Sequence, residues 1–229
     1  MLFLSALYWL MFLLLGTYTL VRFNLRISRP ASMPQGAKIF VANHPSVSDP
    51  FLLSFAIRQH AHILIAEEVF NIRPFGTLLR SMGFIPVIPH QGRLAFDQAV
   101  EYLQQGRNVM IFPEGHISPL EGGFLAFHSG AARLALATGA PIIPAGIHIQ
   151  RTRIKTLTMK SGSEEIPAHW YFNGPYAITF GEPMYFDGDL ENRSRVEDVT
   201  RTLQVEIQAL TEISISQMDT EFGNPVLAR

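Results

Sequence analysis

Ile39-Phe40-Val41-Ala42-Asn43-His44-Pro45-Ser46-Val47-Ser48-Asp49-Pro50 is the stretch that decides how this chain folds. Its first four residues are continuously apolar, as a strand buried on both faces requires. Pro50 opens another apolar stretch that runs to Ile57. With Asp49 before it, this reads as a helix start, the aspartate at the N-cap and the proline at N1. A strand that hands over directly to a helix begins a parallel β-α-β unit. The junction also carries one histidine and one aspartate, with four residues between them. Histidine suits proton acceptance near neutral pH, and an aspartate that holds it fixes its tautomer and stabilises the imidazolium. Taken alone the pair is a common coincidence, because strand-end and helix-cap roles account for both residues.

Strands and helices alternate outward from this junction. Strands are expected at Lys38–Ala42, His62–Ala66, Phe84–Ile88, Asn108–Phe112 and Ile142–Ile149, with Pro86 marking an edge strand or a bulge. Helices are expected at Pro50–Ile57, at Phe75–Met82, at Leu94–Leu103 before Gly106, and at Gly130–Thr138 before Gly139. Tyr171–Phe180 and Met184–Phe186 add late β segments at the sheet edge. Val196, Val199, Leu203, Ile207 and Leu210 form a helical stripe that packs on the sheet, and residues after about Gln217 read as a loose tail. The expected fold class is α/β, a mostly parallel sheet with helices on its faces, preceded by an N-terminal hydrophobic membrane helix.

That last element rests on composition. The chain has 229 residues, of which 48% are hydrophobic, and a formal net charge of -1. There is no basic field for nucleic acid. The absence of cysteine closes disulfides, thiolate metal sites and any acyl-cysteine route. Met1 to Val21 contains no Asp, Glu, Lys or Arg, and as a helix would be about 30 Å long, the thickness of a bilayer core. Arg22, Arg26 and Arg29 follow, which places the rest of the chain on the cytoplasmic side. Tyr8, Trp9 and Tyr18 suit an interfacial helix equally well. The division is therefore residues 1–29 as membrane-associating helix and basic flank, and 30–229 as the α/β domain. Arg29-Pro30 and Pro34-Gln35-Gly36 mark the linker.

A second polar cluster, Pro113-Glu114-Gly115, follows the apolar run Val109 to Phe112. It falls at the C-terminal end of its strand, as His44 does, and ligands bind at that edge of parallel sheets. Gly115 lets a backbone N–H approach a ligand, and Glu114 either receives a ligand hydrogen bond or orients a neighbour. His60 and His62 alternate and share a strand face, but no carboxylate cluster completes a metal pair. His148 reads as a satisfied core residue.

Four blocks occur in a recognisable order: Asn43-His44 to Asp49, Gly83-Phe84-Ile85-Pro86-Val87, Phe112-Pro113-Glu114-Gly115, and Ala140-Pro141-Ile142-Ile143-Pro144-Ala145-Gly146-Ile147. Together, over roughly Lys38 to Ile149, they resemble the glycerolipid acyltransferases of the 1-acyl-glycerol-3-phosphate acyltransferase (PlsC-like) type. The resemblance implies a membrane-bound O-acyltransferase of phospholipid biosynthesis. His44 would be the general base for the acceptor hydroxyl and Asp49 its orienting partner. Asn43, Pro113, Glu114, Gly115 and Arg93 would serve substrate binding. The acyl donor would be acyl-CoA or acyl-ACP (coenzyme A or acyl carrier protein) and the acceptor lysophosphatidic acid or a related lysolipid, with no metal and no cofactor beyond the donor. Membrane lipids would be its other partners.

Two departures qualify that picture. The family's third block continues with Thr-Arg-Ser, here His116-Ile117-Ser118, and its second ends in an arginine, here replaced by a run into Pro89-His90-Gln91-Gly92-Arg93. His128 also stands where a lysine or arginine is common. Both missing arginines belong to the set that holds the acceptor's phosphate, and histidine is a weaker, pH-dependent substitute for a bidentate guanidinium. Arg93, Arg80 or the cluster Arg151, Arg153 and Lys155 are candidate replacements. The same gap motivates the alternatives: a catalytically silent, membrane-anchored lipid-binding protein, or a transacylase that takes its acyl group from a phospholipid. A thioester hydrolase is a third, although no G-x-S-x-G elbow is present.

Overall fold

The computed structural model describes residues 16–72, 75–161 and 164–219. Its centre is a seven-stranded sheet of order β1-β9-β6-β2-β5-β3-β4. The strands are β1 (Phe23–Ser28), β2 (Ile39–Ala42), β3 (Ala61–Ala66), β4 (Ile85–Val87), β5 (Asn108–Ile111), β6 (Ile142–Ile149) and β9 (Gly174–Phe180). Strands β7 (Lys155–Ser161) and β8 (Glu164–Trp170) form a separate antiparallel pair. Neighbours from β6 to β4 are all parallel, β9 runs antiparallel to β6, and β1 is parallel to β9. The mostly parallel α/β expectation holds. The two reversed strands extend the sheet on the side away from β4.

Period-2 alternation divides the core. Ile39, Val41, Val109, Ile111 and Ile142 face one side, where helices α4 (Gly92–Gln104), α5 (Gly130–Thr138) and α6 (Arg193–Asp219) bring Ala95, Ala99, Ala132, Leu134, Val199 and Leu203. Phe40, Ala42, Met110, Phe112 and Ile143 face the other, against Leu52 and Leu53 of α1 (Asp49–Ile57) and Leu79 of α3 (Phe75–Ser81). A short α2 (Glu67–Phe70) follows β3. Burying each of these Val, Leu, Ile, Phe or Met side chains is worth about 1.5–3 kcal/mol, and each alanine less. Gly146 brings α6 into direct backbone contact with β6: a Cβ there would lie 2.2 Å from the Thr211 nitrogen. The helix is further tied down by Ser214 Oγ, which donates to the Gly146 carbonyl at 2.9 Å.

Several expectations are corrected. Asp49 is the first residue of α1 and Ser48 its N-cap, with no side-chain capping bond. Residues 23–28, read from sequence as a basic flank outside the domain, form a strand of the sheet paired with Gly174 to Thr179 of β9. The β7–β8 pair lies outside the strands expected from sequence. Met184 makes only an isolated bridge to Ile142. The expected membrane helix falls mainly on residues outside those described, as does the end of the tail. Residues 16–22 are helical. Among the described residues, no helix is long and apolar enough to cross a membrane.

Candidate active site

His44 lies just beyond the C-terminal end of β2, and every bond around it fixes its position. The β2–β6 ladder ends with Ala42 opposite Ala145. Asn43 continues it with its side chain: Nδ2 donates to the Ile147 carbonyl at 2.9 Å, and Oδ1 accepts the Ile147 N–H at 2.7 Å. The backbone N–H of His44 donates to Glu114 Oε1 at 3.0 Å, and its carbonyl accepts the Ser118 N–H at 2.8 Å. Its ring stacks on Phe112 with centroids 4.3 Å apart. The peptide is held between the β2–α1 junction and the loop after β5, and its side chain keeps 17% of its surface exposed.

Asp49 is fully buried and its Oδ2 lies 2.9 Å from His44 Nδ1. The same oxygen accepts the Ser46 N–H at 2.6 Å. Oδ1 accepts Ser46 Oγ and the Tyr176 hydroxyl, each at 2.8 Å. A carboxylate has about four acceptor sites, and four partners meet them here. Burial, then the charge and hydrogen bond of Asp49, push the Tyr176 phenol well above its ordinary value, so it is a neutral donor. Tyr176 escaped the sequence reading because it lies 127 residues from Asp49. Ser46 lies inside the quoted stretch, where its spacing of three from Asp49 was the available signal.

Glu114 is buried and its carboxylate is engaged by the protein. Oε1 accepts the Ser118 hydroxyl at 2.7 Å as well as the His44 N–H, and Oε2 accepts the Leu125 N–H at 2.8 Å. Gly115 has φ +69°, and a Cβ there would meet His128 Cδ2 at 2.9 Å. His128 is in turn fixed by its N–H, which donates to the Pro113 carbonyl at 2.8 Å. His44, Asp49, Asn43, Pro113, Glu114 and Gly115 are thus assembled at one edge of the sheet. Arg93 is not bound to them: its guanidinium pairs with Asp97 at 2.8 Å on the surface of α4 and lies over the Phe96 ring. Arg80 donates to the Phe70 carbonyl and covers that ring. Arg151 donates to the Pro119 carbonyl within the post-β5 loop. Burial lowers its pKa, while the charges of Glu114 and Glu121 oppose that shift. Of the candidate replacement cations, Arg151 is the one tied to the site's own loop.

An apolar cavity of about 1010 Å³ opens beside the junction. It runs along α1 from Ser48 past Phe51, Leu52 and Phe55 to Gln59 and Ala61, with Leu78, Met82 and Tyr171 among its other walls. Burial raises the Tyr171 phenol to about 12, and its hydroxyl donates to the Pro175 carbonyl at 2.7 Å, so this wall stays uncharged. The arrangement offers an imidazole with Nδ1 engaged and Nε2 as its remaining basic atom, and, from Ser48 along α1, space for a long apolar group. Among the described residues, no three His, Asp or Glu side chains gather into a metal site. His60 and His62 meet edge-to-face at 4.8 Å near the opposite end of the sheet.

Residues 24–148 match the sequence model of the family described as Acyltransferase. A 1-acyl-sn-glycerol-3-phosphate acyltransferase of Borreliella burgdorferi is 28% identical over 128 residues, 54% of this chain and 51% of that protein. The chain therefore spans about half the length of this curated relative. The crystal structure of the 1-acyl-sn-glycerophosphate (LPA) acyltransferase PlsC from Thermotoga maritima has a similar fold, with a TM-score of 0.60 and 23% identity over 85% of this chain and 77% of that one.

Proposed function

The chain belongs to the acyltransferase family, and from that premise we propose that it is an O-acyltransferase that moves a fatty acyl group from a thioester to a hydroxyl of a lysolipid. The observation that carries this reading is the His44–Asp49 pair, fixed on both sides at the C-terminal edge of the parallel strands, with an apolar cavity that reaches Ser48 of the same turn. His44 Nε2 takes the proton of the acceptor hydroxyl as that oxygen attacks the thioester carbonyl. Asp49, bound to Nδ1, holds the tautomer that makes this possible and stabilises the imidazolium. The tetrahedral intermediate collapses with expulsion of the thiolate, which recovers the proton from His44. The acyl chain lies along α1 in the cavity. No covalent enzyme intermediate is required, because a thioester is already activated and positioning supplies much of the rate.

The donor is acyl-CoA or acyl-ACP, and the acceptor is lysophosphatidic acid or a related lysolipid. The relatives named for that acceptor support the class. Glu114 acts by orienting the His44 peptide, and Arg151 is the cation placed to meet an acceptor phosphate. The uncharged run 1–21 holds the protein at a membrane, with the catalytic edge on the cytoplasmic side. The outward Leu20 and Val21, 69% and 76% exposed, are consistent with that placement. The test is acyl transfer by the purified protein with acyl-CoA and acyl-ACP against a panel of lysolipids. Ester formation that depends on His44 supports the reading. Transfer from added phospholipid alone would favour a transacylase, free fatty acid without ester would favour a hydrolase, and lipid binding without turnover by folded protein would favour a silent binder.

A further inference from the structure

Asp49 is held by more than the histidine it serves. Oδ2 faces His44 Nδ1 and the Ser46 N–H, whereas Oδ1 accepts the hydroxyls of Ser46 and Tyr176. Ser46 belongs to the same turn as Asp49. Tyr176 comes from β9, opposite Ile149 of β6 and Leu25 of β1, so the sheet sets its position independently of the turn. Its ring is wedged edge-on against Phe23 at 6.2 Å and beside Tyr171 at 6.3 Å. A slot for packing alone is met by phenylalanine, and a fully buried hydroxyl is unfavourable there unless it is bonded. Here the bond goes to the carboxylate behind the base.

We propose that Tyr176 is a positioning residue for proton transfer: its hydroxyl fixes the Asp49 carboxylate so that Oδ2 addresses His44, and it tempers how tightly that carboxylate holds the imidazolium. The inference rests on the acyl-transfer reading with His44 as base. A carboxylate shared among four donors has its charge spread, and losing one donor concentrates that charge on the remainder. The imidazolium is then held more tightly and releases its proton at higher pH. Other titratable groups facing this cluster are Tyr171 beside the Tyr176 ring and Glu114 on the His44 N–H, with Arg151 within electrostatic reach of Glu114. Asp49 Oδ1 is bonded by the Ser46 and Tyr176 hydroxyls and by none of these groups, so the Tyr176 bond can be removed selectively.

Tyr176→Phe keeps the ring and deletes the donor. With acyl-CoA and the lysolipid that the full chain accepts, kcat is expected to fall about tenfold while both KM values stay within about twofold, since the interaction acts on the reacting base and not on binding. The acidic limb of kcat/KM moves to higher pH by roughly half a unit. In an Asp49→Ala background the same change has no further effect, because the residue through which Tyr176 acts is gone. An NMR pH titration of the His44 ring, assigned with His44→Ala, reads the same upward movement without substrate. Ser46→Ala, which deletes the other hydroxyl on Oδ1, is expected to move both readouts in the same direction and serves if Tyr176→Phe does not fold. An equal loss in the Asp49→Ala background, or a wild-type profile and unchanged NMR midpoint in Tyr176→Phe, would overturn the proposal. His44→Ala separates the two ideas: full activity there refutes the base itself, whereas an inactive His44→Ala beside an unaltered Tyr176→Phe refutes only the role of Tyr176.

Discussion

His44 and His62 are attached to opposite ends of the same parallel sheet, and each ring is stacked on an aromatic neighbour. His62 lies at the N-terminal end of β3, 3.7 Å from the Tyr102 ring, with Nδ1 2.7 Å from the Gly83 carbonyl. Burial lowers its pKa, the Gly83 bond opposes that shift, and His60 and Arg107 add to it. It is a neutral packing residue. His44 lies at the C-terminal end of β2 with a carboxylate on Nδ1. The difference teaches that the partner of the second ring nitrogen decides what a histidine does. A backbone carbonyl fixes a tautomer, whereas a carboxylate also stabilises the charged form that appears during proton transfer.

The comparison breaks most clearly under paired substitution. His44→Ala should lower kcat by at least about 10²–10⁴-fold with little change in melting temperature. His62→Ala should leave kcat within about threefold yet lose roughly 1–3 kcal/mol of stability, read by urea denaturation. A His62 variant that is stable and inactive would reverse the assignment. Asp49→Ala should lower kcat by about 10²-fold and also destabilise the fold, since Ser46 and Tyr176 lose their acceptor together. Gly115→Ala places a Cβ against His128 at a left-handed φ. It should cost about 1–3 kcal/mol and lower activity, because the loop that carries Glu114 must shift.

The smallest effect concerns pH. The lowered pKa values of His60 and His62 mean that the unfolded chain binds protons more readily than the folded one. Their contribution is complete above the ordinary value of 6.5 and is lost as pH falls through it toward the folded values. Denaturation midpoints of the wild type should therefore fall below about pH 6.5, and His62→Gln should show a shallower fall. An equal slope in both proteins would remove the buried, neutral histidine from the comparison.

The parts of the fold legible in sequence are those where local signals agree. Ile142–Ile149 has the limits its sequence suggests, because Gly139 and Pro141 punctuate its start and its residues are almost all apolar. Gly130–Thr138 was equally plain from its alanines and the glycine that follows. Phe23–Ser28 was not, because Arg26 and its half-buried neighbours show no core alternation and merge with the basic flank. The β7–β8 pair does carry a period-2 signal, at Leu157 and Met159 and at Ile166, Ala168 and Trp170, which the sequence reading leaves unused. At the site, the positions of His44, Asp49 and Glu114 after strands and the pairing of His44 with Asp49 are legible in sequence, whereas the Tyr176 bond to Asp49 and the Glu114 bond to the His44 N–H are not. The sequence reads Asp49 as a helix cap that also faces His44, and only the folded chain brings Tyr176 to its other oxygen. Arg93 was counted for its charge, and the structure pairs that charge with Asp97 one helical turn away.

The central claim is that the imidazole of His44 drives acyl transfer to a lysolipid hydroxyl. The most direct measurement is ester product formed from radiolabelled acyl-CoA and acyl-ACP with lysophosphatidic acid and related lysolipids, by wild type and His44→Ala purified side by side and shown to be folded. The account predicts ester with the wild type and a loss of at least about 10²-fold in the variant. Equal product from both proteins, or no product from folded wild type with any acceptor, would contradict it.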